Sequence, residues 1–347
     1  MTVLVTGAAG YVGGLIVKAL REHGGYGDVL AYGRAEADLT VPGVLDSVPT
    51  AGITHIVHAA AVTKFAVDRD TAKAVNIGGT EQVVGLAERC PDLERIVLLS
   101  TLYTAGLATG DIAEEPAGAV EEPRAAAGED DDSTDVVHFA NYYEWSKHAA
   151  ERLVLDSGLP ATIARVPTII ADDDSGHVSQ YNAVHNTLKL LYYGLLSLMP
   201  GLADVPVALG TGEFTVNATM ALLDAEPGYY HVCPDLEQTP RLGRIVDLMF
   251  TAFEQDTNFI RRQILRPLLV DEAAFANLIN GLRTLPHGPV LDALESVSPF
   301  SSQLFRPKVF GNTRLHKAWP NYRAPDADTL VSQTAEYLVR TRWGRTS

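Results

Sequence analysis

Two spacings of apolar residues alternate along the first half of the chain. Residues 2–6, TVLVT, form a short β-branched run, and the glycines after it lead into YVGGLIVKALREHG, whose apolar positions recur at helical spacing. That is strand, turn, helix. The rhythm returns in DVLAYG (28–33), HIVHAAAV (55–62), the helical stretch NIGGTEQVVGLAERC (76–90) and RIVLLST (95–101). After a further helix around YYEWSKHAAERLV (142–154) comes ATIARVPTII (161–170). Apolar strands separated by helices predict a parallel sheet covered on both faces, the doubly wound α/β class. Such sheets hold their ligands beyond the carboxyl ends of the strands.

From about Gly176 the rhythm fades into helical patterns such as LGRIVDLMFTAFEQ (242–255), with proline-rich breaks. The expected organisation is a doubly wound domain over 1–175 and a smaller, mostly helical substrate lobe over 176–347 that packs on it. The longest apolar segment, TLKLLYYGLLSLMPGL (187–202), contains Lys189 and is too short for a comfortable membrane span, so it reads as a buried or ligand-lining helix. Between Gly106 and Asp135 the composition turns to Ala, Pro, Glu and Asp, ending in GEDDDSTD, the pattern of a solvated surface loop.

Composition narrows the function. With 347 residues, 46% apolar and 20% charged, the chain can bury a large core as a soluble protein. A net charge of −16 speaks against nucleic acid or an anionic membrane as its main partner. Cys90 and Cys233 lie far apart and offer neither a metal spacing nor a disulfide framework. The chain starts directly on the strand-like run without a signal-peptide pattern, which makes a reducing cytoplasm the expected location. The histidines, among them His138, His148, His177 and His185, have no ligand spacing or nucleophile partner, so no metal is expected.

The turn after the first strand, TGAAGYVGG, carries Gly7, Gly10 and Gly13. In a βα chain this pattern predicts a dinucleotide site: Gly7 for the tight turn, Gly10 for approach to a pyrophosphate, Gly13 for a helix lying close to the sheet. The helix N-terminus then offers amides to the phosphates. The second strand ends in AYGR, with Gly33 and Arg34 where an NAD site presents a carboxylate to the ribose diol. Arg34 could pair with a 2′-phosphate, which favours NADPH over NADH, although Glu36 opposes it and a merely solvated Arg34 remains open. Asp38, placed after a short third strand, could accept a hydrogen bond from the adenine amine or simply cap a turn.

Tyr143 and Lys147 are four residues apart and share one helix face, so a phenol and an ammonium could reach one bound molecule. An adjacent ammonium favours the phenolate and makes the pair a usable acid/base. Alone, the spacing also fits an interface tyrosine beside a solvated lysine.

Taken together, T-G-x-x-G-x-x-G at Gly7 to Gly13, HAAA at His58 to Ala61, NIGGT at Asn76 to Thr80, LLSTLYTAG at Leu98 to Gly106, and Tyr143 with Lys147 resemble the extended short-chain dehydrogenase/reductase superfamily. They stand in that family's order over roughly the first 170 residues. The resemblance implies a Rossmann fold in which Lys147 binds the nicotinamide ribose and lowers the pKa of Tyr143, the acid/base, while Thr101 holds the substrate oxygen. It also extends the expected cofactor contacts to Thr6, Tyr11, Val12, Leu39, Ala59, Ala60, Ala61, Asn76, Val166 and Pro167. Leu102 and Tyr103 follow Thr101 where dehydratases of the superfamily carry an acidic pair. The wording STLYTAG, FANYYEWSK and RVPTIIADDDSG resembles instead the thioester and fatty-acyl reductase branch, as do YYGLLSLMPGL and SQLFRPKVFGNTRL more loosely. Ala171 departs from that branch's glycine, and the segment 205–217 lacks its P-V-D-x-V signature, with Glu213 in the place of the aspartate.

The expected activity is therefore NADPH-dependent reduction of an acyl thioester, small-molecule or carrier-protein-bound, to an aldehyde or alcohol. A ketone or aldehyde reductase, a nucleotide-sugar epimerase or reductase, and a silent NADP sensor stand as alternatives. The apolar helix near 190–198 could line an acyl channel or serve only as core. Family members often pair through the helix bearing Tyr143, so a homodimer is implied by the resemblance.

Overall fold

The computed structural model describes residues 1–116, 119–120, 122–123, 136–284 and 288–344. Most of the acidic stretch, including 124–135, lies outside them. Six parallel strands make the central sheet: β1 (Thr2–Thr6), β2 (Asp28–Tyr32), β3 (Ile53–His58), β4 (Arg95–Thr101), β5 (Ala161–Val166) and β6 (Gly228–His231). Their order is β6-β5-β4-β3-β1-β2. Strand order reverses at β1, which lies between β2 and β3, and the crevice there is where doubly wound sheets bind ligands.

Alternate side chains of each strand enter different cores. Val3, Val5, Val97 and Leu99 face one way, against Ile16 and Leu20 of helix α1 (Tyr11–His23). Leu4, Ile96, Leu98 and Ile163 face the other way. There they meet Val83 and Leu86 of α2 (Gly79–Glu88) and Ala150 and Val154 of α3 (Tyr142–Asp156). Both faces are buried, which is why the strands read as unbroken apolar runs. A further helix, α4 (Gly212–Leu223), packs beside α1, with Phe214 and Leu222 in the same core.

Three expectations change. The division at residue 175 is interleaved rather than serial, because α4 and β6 return to the sheet layer after an excursion into the second lobe. No third strand forms before Asp38: the Ala37 amide bonds back to the Gly33 carbonyl at 3.0 Å, so 33–37 turn instead of extending. The apolar segment 187–202 is not one helix. Its helical part ends at Tyr192, and Leu198–Pro200 is a short strand paired with Leu268–Val270. The stop is local. Gly194 has φ +71°, its amide bonds to Leu191 and that of Leu195 to Leu190, a Schellman ending that only a left-handed residue permits. Pro167 likewise splits 161–170 into β5 and a separate strand, Thr168–Ala171.

The second lobe has its own core, in which Leu191, Met249, Phe250, Phe253, Leu330 and Leu338 bring the helices Ala183–Tyr192, Leu242–Phe253 and Ala327–Arg340 together. Among the described residues no helix is long and apolar enough to cross a membrane.

Candidate active site

The glycine turn has no room for larger residues. Gly7 sits at φ +72°, and a Cβ on Gly13 would lie 2.1 Å from the Gly7 carbonyl oxygen, so α1 rests directly on the turn. Gly10 caps α1, no side chain bonds to the first-turn amides, and no acidic residue occupies that turn. Those N–H groups and the positive end of the helix dipole are available to an anion, and the cradle fits the pyrophosphate of a dinucleotide. Val12 packs into the α1 core. The Tyr11 hydroxyl donates to Asp172 at 2.6 Å, and Asp172 also accepts from Ser179 (2.9 Å) and His177 (2.7 Å). Tyr11 thus ties the start of α1 to the loop after Ala171.

At the end of β2 the exposed Arg34 donates to Asp38 at 2.9 Å. Asp38 also accepts from the Thr40 amide and hydroxyl, and these bonds hold its carboxyl down at about 2. Glu36 folds back onto the Gly33 amide (2.8 Å). Asp38 therefore has the partners of a turn cap, and Leu39 packs against Gly79.

The side chains of Thr6 and Asn76 are bonded within the protein. Thr6 is bonded to His58 Nδ1 (2.7 Å), and His58 Nε2 meets the Thr80 hydroxyl (3.0 Å). Thr80 donates its own proton to the Asn76 carbonyl (2.6 Å), so Nε2 of His58 carries the hydrogen and Nδ1 accepts from Thr6. Burial, then the charge of Lys147, pushes His58 down to about 3, and it stays neutral. Asn76 lies in a π-helical turn, Lys73–Gly78, a device frequent at functional sites. Its amide accepts from the Val62 amide and donates to the Val62 carbonyl and to Ser146 of α3 (2.8, 3.1 and 2.9 Å). It positions α3. Ala59 bonds to the Thr6 carbonyl, and Ala60 abuts Gly7.

Thr101, Tyr143 and Lys147 meet at the carboxyl end of β4, only 3, 8 and 3% exposed. Asn141 caps α3 through the Glu144 amide (3.0 Å), which sets the first turn carrying Tyr143. The Tyr143 and Thr101 hydroxyls lie side by side. Val166 pairs with Thr101 across β5, and Pro167 packs against Gly210. Lys147 donates to the Leu99 carbonyl at 2.7 Å, and burial, partly offset by Glu151, lowers it to about 8. Burial pushes the Tyr143 phenol up, Thr101 draws it down, and Tyr103 and Glu144 add to the rise. The expected lowering of Tyr143 by Lys147 is not found in this structure, because the ammonium is turned to β4. A phenol that keeps its proton is suited to donate it.

Around Tyr143 the wall is aromatic. Phe65 lies 5.4 Å from the Tyr143 ring, 5.2 Å from Tyr103 and 6.0 Å from Phe300. Phe300 comes from the second lobe.

Two buried networks support the site and escaped the sequence reading. Glu151 accepts from Ser100 (2.5 Å) and from Arg165 (2.8 and 3.1 Å), linking α3, β4 and β5. Its spacing of four from Lys147 was the available signal. Glu144 accepts from Gln303 (2.8 Å), whose own oxygen accepts from Lys308 (2.6 Å). No local pattern points to a partner over 150 residues away.

The comparisons with known proteins agree with this architecture. Residues 42–219 match the family model described as male sterility protein. No curated protein matches the sequence significantly. A terminal R domain from the myxalamid PKS-NRPS biosynthetic pathway is similar over 99% of this chain and 91% of its own, with a TM-score of 0.69 and 18% identity. A thiolation-reductase di-domain from an archaeal non-ribosomal peptide synthetase is similar over 99% and 76%, at 0.64 and 17%. A UDP-galactose 4-epimerase is similar over 99% and 100%, at 0.63 and 16%. At these identities the structural likeness shows the fold.

Proposed function

The chain belongs to the male sterility protein family, within the extended short-chain dehydrogenase/reductases, and is an NAD(P)-dependent oxidoreductase; from that premise we propose that it reduces an acyl thioester with NADPH. The observation that carries the reading is the buried Thr101–Tyr143 hydroxyl pair, beside Lys147 and under an aromatic wall.

A bound nicotinamide supplies the hydride. Thr101 and Tyr143 direct hydroxyl donors at the thioester carbonyl oxygen, where negative charge develops as the carbon is reduced. Tyr143 passes its proton to that oxygen, giving a hemithioacetal. Collapse returns the proton to the Tyr143 oxygen, breaks the C–S bond and releases aldehyde and thiolate, which takes a proton from solvent. Lys147 stays charged at neutral pH and, after bonding Leu99, keeps donors for a ribose hydroxyl. The Gly7–Gly13 cradle and the amides of Tyr11, Val12 and Gly13 hold the pyrophosphate.

Arg34 supports NADPH, since exchanging Asp38 for a 2′-phosphate keeps its guanidinium paired. The aromatic surround of Phe65, Tyr103 and Phe300 suits an acyl chain better than a sugar ring. The acyl group arrives on a small thiol or a carrier protein, and the second lobe, built on the helices Ala183–Tyr192, Leu242–Phe253 and Ala327–Arg340, receives it.

The test follows NADPH and NADH oxidation with acyl thioesters, free aldehydes and nucleotide sugars, using Tyr143→Phe as the blank. Thiol release in step with NADPH loss, absent in the variant, is expected. Turnover of aldehydes or ketones alone overturns the thioester reading in favour of a carbonyl reductase.

A further inference from the structure

The far end of helix Ala183–Tyr192 opens on a cleft of about 950 Å³ that takes no part in the site above. Its walls include Tyr192, Tyr193, Arg262, Arg340, Arg342 and Trp343. Arg262 lies over the rings of Tyr192 and Tyr193, 4.4 and 5.1 Å from their centroids. Among the described residues none of these three arginines is in an ion pair. Of the two carboxylates on the same rim, Asp256 already accepts from the Tyr192 hydroxyl and the Asn258 amide. The other is Glu336. Three arginines against these two carboxylates leave the rim with a small positive excess in a chain of net charge −16.

Two independent observations fall on the same rim. The adjoining segment 257–268 exposes Ile260, Leu265 and Leu268, at 56, 84 and 68%, beside Tyr193 at 44%. Exposed aliphatic and aromatic side chains interspersed with arginine are the composition of a protein interface. The three non-glycine residues of the described chain with left-handed backbone, Gln263, Arg342 and Trp343 (φ 52°, 48° and 60°), also lie here. Strained backbone held in place by its surroundings clusters at binding surfaces.

We propose that this arginine-rimmed, leucine-bearing cleft is the docking surface for an acidic, helical carrier protein that delivers the acyl thioester. The inference rests on the thioester reading above. The positive excess of the rim favours an acidic partner, and a concave site suits a protruding helix better than a flat lipid surface. The placement connects to chemistry. Asn182, which caps the helix, donates to the Ile169 carbonyl, and neighbouring Thr168 bonds the Tyr103 hydroxyl two residues beyond Thr101. The ten-residue helix alone spans about 15 Å between the cleft and Asn182, a stretch that a flexible acyl-bearing arm has to follow to reach the site.

The test compares octanoyl groups on an acidic acyl carrier protein and on N-acetylcysteamine, in the wild type, Arg262→Glu/Arg342→Glu and Leu265→Asp. Leu265 is exposed enough that its replacement leaves folding intact. Both variants are expected to lose about tenfold or more in kcat/KM on the carrier substrate, the arginine variant most at low salt, with the small thioester unchanged. Equal losses on both substrates, or no loss on the carrier, overturn the docking surface. If the wild type reduces neither thioester, the thioester reading itself fails. Calorimetric titration with the same carrier protein then decides docking: binding lost in the variants supports it, and no binding by the wild type overturns it. Binding of phosphatidylserine vesicles in place of the carrier also overturns it, in favour of a membrane surface.

Discussion

The junction of β4 with α3 and the rim of the arginine cleft use polar side chains in opposite ways. At the junction Lys147, Glu151, Arg165, Ser100 and Asn76 are buried and bonded within the protein, so each has one geometry and burial shifts the acids and bases that titrate. At the rim Arg262, Arg340 and Arg342 are exposed and, among the described residues, in no ion pair, with left-handed backbone beside them; Arg262 donates to the Asn258 carbonyl and lies over Tyr192. The first arrangement is preorganised for chemistry at the cost of tolerance. The second leaves most of its guanidinium donors free for something outside the chain. Substitutions should therefore hurt stability and turnover at the junction and only association at the rim.

The largest effect that comparison predicts is at Tyr143. Replacing it with phenylalanine removes the proton donor and should lower kcat by about 10²–10⁴-fold, with dinucleotide binding measured by fluorescence retained. Next is Arg165→Met, which leaves Glu151 buried without its partner. Urea unfolding should show a loss of about 3–5 kcal/mol, largely recovered by adding Glu151→Leu. Full stability of the single variant would break the contrast. Gly13→Ala drives a Cβ against the Gly7 carbonyl and should cost about 1–3 kcal/mol, with weakened dinucleotide binding.

A smaller, pH-dependent effect belongs to Glu144. Burial raises its carboxyl to about 7 from an ordinary 4.5, against the hydrogen bonds from Ala140, Gln303 and Asn141. A raised folded pKa means the folded state binds the proton more tightly. Its contribution is complete below about pH 4.5 and is lost as pH rises through 7. Glu144→Gln should flatten that decline in unfolding free energy against pH, by at most about 3 kcal/mol, as read by urea unfolding at a series of pH values. The smallest effect is expected at exposed Arg34: Arg34→Ala should raise the KM for NADPH severalfold and leave that for NADH alone. Equal changes for both cofactors would remove the 2′-phosphate role.

Much of the site was legible because its signals are local. Gly7, Gly10 and Gly13 mark a turn only glycine can make, and Tyr143 and Lys147 sit four apart on a helix whose cap, Asn141, is adjacent in sequence. Thr101 ends the apolar run of β4. Misreadings arose where neighbouring residues competed. Gly194 stops a helix inside an apolar stretch that otherwise reads as continuous, and Gly33 to Ala37 fold into a turn where a strand was expected. That the Thr6 and Asn76 side chains bond His58, Val62 and Ser146 is a packing outcome that no local pattern shows.

The sequence by itself determined the alternation of strand and helix, the glycine cradle and the residue types available for hydride chemistry, because each depends on backbone preference or spacing within a few residues. Tertiary structure alone decided that Lys147 bonds Leu99, that Arg165 neutralises Glu151, and that Gln303 and Lys308 return to Glu144 from the far end of the chain. It likewise decided that β6 closes the first sheet and that scattered arginines share one cleft. A hydrogen bond holds only near 3 Å, and a sequence offers many partners at any separation. Which of them comes within reach is set by how the apolar faces pack, and that is a property of the whole chain.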